Sequence, residues 1–137
     1  MDILINGVTL HGDFMDADFM EVYESATIEM RNLAVENQGK KYESMAESYR
    51  AQCRIVDEYM DKIFGNGTSA DLFKGKENHL MVHLTAVEDL TKWAEGEKKK
   101  LNDFINKYSQ RQNAIAKHQK QQNAQQQFIQ RKNGSKH

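Results

Sequence analysis

No proline interrupts this chain of 137 residues, and that absence constrains it more than any residue it contains. Proline removes an amide donor and clashes with the preceding helical turn, so a proline-free chain favours long uninterrupted helices over a loop-rich or all-β fold. Hydrophobic spacing then locates the helices. From Tyr42 to Phe64, Met45, Tyr49, Cys53, Val56, Met60 and Ile63 recur at steps of four, four, three, four and three. That spacing puts all six on one face of a helix, the mark of a buried stripe.

The central helix is bounded on both sides. It starts from about Lys41 and stops at Gly65-Asn66-Gly67, where glycines without a side-chain penalty at positive φ end it. Thr68 reads as an N-cap with Asp71 three residues on, followed by a short turn carrying Leu72 and Phe73 that ends at Gly75. Asn78 is placed to cap the next long helix.

Upstream, Asn6-Gly7 stands between Ile3 and Ile5 on one side and Val8 and Leu10 on the other. An Asn-Gly pair in that setting predicts a β-hairpin with a type I′ turn, and so short a hairpin must pack on helices or join another sheet. Asp13 or Asp16 opens the first helix, whose buried face is Phe19, Tyr23, Ala26, Met30 and Leu33, and Gly39 ends it. The last long helix starts near His79. Leu80, Leu84, Val87, Thr91, Ala94, Leu101, Ile105 and Tyr108 mark its apolar stripe, and Gly96 weakens the helix without breaking it.

These elements predict a mainly all-α fold. Three long amphipathic helices form a bundle, with a short N-terminal β-hairpin and an extended C-terminal tail that is helical or disordered. The domain spans 1–108 and the tail 109–137. Nine of the last 29 residues are glutamine, leaving so little to bury that the tail is expected to fray when the protein is alone.

Composition is needed for three points. Cys53 is the only cysteine, which excludes an intramolecular disulfide and suits a reducing compartment. No run approaches the roughly 20 apolar residues of a membrane span, and Met1–Asn6 lacks the form of a signal peptide, so a soluble cytoplasmic protein is expected. The net charge of −1 conceals an asymmetry: residues 104–137 hold seven Lys or Arg and no acid, whereas residues 1–103 hold 12 basic against 20 acidic side chains. The body is acidic and the tail basic.

Catalytic signals are weak. His79 and His83 stand four apart, but no glutamate follows the first as in zinc proteases, and the expectation is two partly exposed histidines flanking the stripe with no metal. Cys53 lies on the buried face of its helix and reads as an inert core thiol. The segment Gly65–Lys76 lacks the spacing of a phosphate loop, and Asp13, Asp16, Asp18 and Glu21 lack the ligand pattern of an EF-hand. No catalytic residue, metal or cofactor is assigned, and an enzyme is not expected.

The tail rises above this background. Lys107, Arg111, Lys117, Lys120, Arg131 and Lys132 can neutralise phosphates, and Tyr108 and Phe128 can stack on bases. The charges are sparse and diluted by glutamine, however, and the acidic body argues against nucleic acid. A helical arm that orders on a protein partner is preferred, with Lys107, Tyr108, Arg111, Lys117, Lys120, Phe128, Ile129, Arg131 and Lys132 as its contact residues.

Several segments together resemble a family of short proteins from tailed phages and prophages of Gram-positive bacteria. They are Ile5–Val8, Asp13–Glu21, Phe64–Thr68 through Leu72–Gly75, and Asn78-His79, so the resemblance covers roughly residues 3–112. Where that family often carries proline after a Lys-Tyr-Ser segment, this chain has Gln110, which lets the last helix continue. Its members resemble tail assembly chaperones. The resemblance implies a non-enzymatic morphogenesis protein in the host cytoplasm that binds the tape measure and tail tube proteins, with homo-oligomers allowed. The alternatives are a structural virion component, such as a connector or tail completion protein, and a nucleic-acid-associated protein using its basic tail.

Overall fold

The hairpin forms where Asn-Gly demands it. In the computed structural model, which describes the backbone of residues 2–134 and the side chains of residues 2–124, strands β1 (Asp2–Ile5) and β2 (Val8–His11) pair antiparallel, with Ile3 opposite Leu10 and Ile5 opposite Val8. Asn6 and Gly7 both take positive φ, 50° and 76°, as a type I′ turn requires. Alternation sends Ile3, Ile5 and Leu10 to one face, and all three are buried. The Asn6 amide donates to the Leu72 carbonyl, tying the turn to the helices.

Four helices follow: α1 (Ala17–Gly39), α2 (Met45–Phe64), α3 (Thr68–Leu72) and α4 (Leu80–Gly134). The fold is mainly α, as expected, and the tail takes the helical alternative. By compactness the chain forms two units, Met1–Lys98 and Lys99–His137.

The core of the first unit gathers Ile3, Ile5 and Leu10 of the hairpin with Ala26, Val56, Tyr59, Met60, Ile63, Leu72, Phe73, Ala86 and Leu90. Phe19 joins its rim to three other rings, with centroids 6.4 Å from Tyr23, 6.2 Å from Phe64 and 6.3 Å from Trp93. The inward face of α1 is the predicted one.

The caps depart from expectation in three places. α2 starts at Met45 rather than Lys41 because Ser44, in extended backbone, caps it: Ser44 Oγ accepts from the Glu47 amide at 3.2 Å. Thr68 does not cap α3. Gly67 holds the cap position in the left-handed region, and the Asp61 carboxylate reaches over from α2 to accept from the Ser69 amide (2.8 Å) and hydroxyl (3.0 Å). Asn78 does not cap α4 either: Nδ1 of His79 accepts from the Val82 amide at 3.3 Å.

The stripes of α2 and α4 are corrected as well. Cys53, Val56, Met60 and Ile63 are buried, but Met45 is 71% exposed and Tyr49 41%. In the first unit, the buried positions of α4 are His83, Ala86, Leu90, Ala94 and Glu97; Ala94 belongs to the predicted line, but Leu84 of that line is exposed and Leu80, Val87 and Thr91 are half-buried. Ala86 and Leu90 join the core from this helix, and the polar bonds of His83 to Asp57 and the His79 carbonyl hold the same face inward. His83 is therefore fully buried instead of flanking the stripe.

Candidate partner-binding surfaces

Two of the surfaces with exposed apolar side chains bear on partner binding by the expected helices. The first lies where the stripes of α2 and α4 run past the core. Two adjoining hollows of about 380 Å³ and 360 Å³ share Tyr49, Leu80 and Leu84; Asn78, His79 and Met81 complete one, and residues from Ala34 to Lys40 and from Ser48 to Gln52 contribute to the other. Met81 is 65% exposed and Leu84 40%. The groove is supported from beneath by Asn37, a buried polar residue that sequence reasoning missed. Its amide donates to Gln52 Oε1 at 3.2 Å, its carbonyl oxygen accepts from the Tyr42 hydroxyl, and its main-chain carbonyl accepts from the Lys40 amide.

Nothing in the sequence separates groove residues from core residues. Tyr49, Leu80 and Leu84 fall in the same predicted stripes as residues that are buried.

The second surface is the part of α4 in the second unit. Every side chain from Asn102 to Ala124 is exposed. A helix turns about 100° per residue, so Phe104, Ile105, Tyr108 and Ile115 share one arc with Leu101, and Lys107 and Arg111 flank it. Of the expected contact residues, the helix thus brings Lys107, Tyr108 and Arg111 together. Lys117 falls opposite Tyr108, and Lys120 lies away from it on the side remote from Lys107. The side chains of Phe128, Ile129, Arg131 and Lys132 lie outside the described residues.

The buried polar centre of the first unit has the makings of chemistry but an arrangement suited to structure. Nε2 of His83 lies 3.0 Å from Asp57 Oδ1 and Nδ1 lies 2.8 Å from the His79 carbonyl, while the imidazole stacks on Phe73 at 3.7 Å. Burial pushes the Asp57 carboxyl above the ordinary range, partly offset by His83. Burial, with the Asp57 charge adding to it, also pushes the Cys53 thiol up, which keeps it a thiol rather than a reactive thiolate. Among the described residues no group of three or more His, Cys, Asp or Glu is placed to hold a metal ion. Among the same residues no helix is long and apolar enough to cross a membrane.

These features define a mainly α-helical protein with a short β-hairpin, an open apolar groove and a long basic helix. The chain belongs to the family of unknown function DUF6673, whose model matches residues 6–133. No curated protein and no solved structure matches it.

Proposed function

We propose that this is a non-enzymatic assembly protein that holds a helical segment of another protein, acting in the host cytoplasm as a phage tail assembly chaperone. One observation carries the binding role: the groove formed by Tyr49, Leu80, Met81 and Leu84, where two helical stripes continue past the core and Tyr49, Met81 and Leu84 are exposed. An amphipathic helix laid into such a groove buries the apolar side chains on both partners. Methionine at Met81 suits this use, because an unbranched thioether repacks at low cost against different sequences.

The more specific reading rests on the resemblance to phage and prophage proteins, which makes tape measure and tail tube proteins the partners. Lys107, Tyr108 and Arg111 supply a second contact.

The test is capture of partners by tagged protein in cells producing the phage, with wild type compared against Tyr49→Glu/Met81→Glu. Recovery of tape measure or tube protein by the wild type alone, with the bait missing from purified virions, supports the chaperone. Bait found in finished particles makes it a structural virion component instead.

A second reading has its own observation. Residues 99–137 carry nine Lys or Arg against Asp103 alone, a balance of +8. That charge supports nucleic-acid binding with steep salt dependence. Tyr108 and Phe104 are its only described exposed aromatics in this unit, and the apolar arc is better suited to a helix than to stacked bases. Nuclease-sensitive complexes lost in Lys107→Glu/Arg111→Glu would favour this reading over the chaperone.

A further inference from the structure

α1 is amphipathic twice over. Opposite its buried stripe, Glu21, Ser25, Ile28, Asn32 and Val35 recur at steps of four, three, four and three, the seam spacing of a two-helix coil. All five are exposed, with Ile28 at 58% and Val35 at 64%. A face written for a neighbouring helix stands open to solvent. It is also acidic: α1 holds Asp18, Glu21, Glu24, Glu29 and Glu36 against Arg31, and although Glu29 is paired with Lys62 of α2, the other four acids outnumber the one base.

The second unit carries the complement. Leu101, Phe104, Tyr108, Arg111, Ile115 and His118 follow one another at alternating steps of three and four along α4. Phe104 is 67% exposed, Tyr108 56% and Ile115 53%. Two such helices would repel each other if paired, since Arg111 lies on the seam and Lys107 beside it. An acidic seam of matching pitch is what this helix fits, and α1 offers one. The 23 residues of α1 span about 35 Å at 1.5 Å per residue, enough to cover the stretch from Leu101 to His118.

We propose that this stretch of α4 in one copy docks along the outward face of α1 in a second copy of the chain. Opposite charges set the pairing: the first unit has 10 basic against 19 acidic residues, and the second nine against one. The two faces of the contact differ, so each copy donates one and accepts on the other. The apolar residues at the centre supply the affinity, and the charges supply register and selectivity. The inference needs no phage partner, so its failure leaves the chaperone reading untouched.

The experiment measures the molar mass of the purified full-length protein by light scattering and sedimentation over a range of concentrations. Three samples are compared: wild type, Lys107→Glu/Arg111→Glu, and Glu21→Lys/Glu24→Lys. These four replacements concern exposed positions only, and far-UV circular dichroism checks that helix content is kept. The wild type is expected to associate, more weakly in high salt. Each variant should raise the dissociation constant roughly tenfold or more. An equimolar mixture of the two variants should associate again, because each then offers the other an opposite charge on both faces. A wild type that is monomeric at every concentration overturns the proposal, as does association that survives either reversal. A mixture that fails to re-associate overturns it too.

Discussion

Nε2 of His83 on α4 lies 3.0 Å from Oδ1 of Asp57 on α2, and the histidine is fully buried. Its other nitrogen, Nδ1, must donate to the His79 carbonyl, because a carbonyl only accepts. One proton therefore sits between Nε2 and Asp57, carried either by the imidazolium or by the carboxylic acid. This pair, with Phe73 stacked on the ring, sets the rotation of α4 against α2.

Asp57→Ala leaves Nε2 of a buried ring without a partner, and the expected loss is about 1–3 kcal/mol in urea unfolding. Asp57→Asn keeps a donor facing a neutral ring nitrogen and should lose markedly less. Equal losses in the two variants would show that the hydrogen bond does not hold α4 in place.

Alkaline pH should weaken the fold through Tyr59. Burial pushes its hydroxyl up to about 12, and it donates to Thr27 Oγ1, 3.0 Å away, whose own hydrogen goes to the Tyr23 carbonyl. The unfolded chain ionises tyrosine near about 10, so the folded state holds this proton more tightly. The stabilisation it lends is complete below the unfolded value and is lost as pH rises towards the folded one. Tyr23, also raised by burial, acts in the same direction. The urea midpoint of wild type should fall above about pH 10, and Tyr59→Phe should flatten that slope while losing about 1 kcal/mol at neutral pH.

Two glycines should respond with opposite sign to alanine. Gly65 takes φ 107° and ψ 158° between α2 and α3, a region that L side chains avoid, so Gly65→Ala should cost about 1–3 kcal/mol. Gly96 lies inside α4 with nothing within 4 Å of an added Cβ, so Gly96→Ala should stabilise by about 1 kcal/mol. Thermal melts of the two variants measure both signs.

Groove substitutions should separate binding from folding. Tyr49→Glu and Met81→Glu change exposed positions, so stability should shift by no more than about 0.5 kcal/mol, while capture of a helical partner is abolished. A large loss of stability would place these residues in the core after all.

Local chemistry was legible in the sequence wherever it acts over a few residues. Asn6-Gly7 determined the hairpin turn, and Gly65 with Gly67 determined the break between α2 and α3. The inward face of α1 and the burial of Cys53, Val56, Met60 and Ile63 followed from spacing, whereas the burial of Tyr59 did not. Caps were less legible: Asp61 satisfies the start of α3 from eight residues upstream, and Ser44 competes with the neighbouring residues of its own loop.

The sequence by itself determined that this chain is helical and where its amphipathic stripes run, because periodicity and backbone preference are properties of a single segment. Only the tertiary structure decided which stripe residues are core and which are surface. Met45, Tyr49 and Leu84 have the spacing of buried residues and stand in the open, while His83, between two apolar positions, is buried to the last atom. Burial depends on what another segment brings opposite, and a stripe carries no record of whether its partner lies in the same chain.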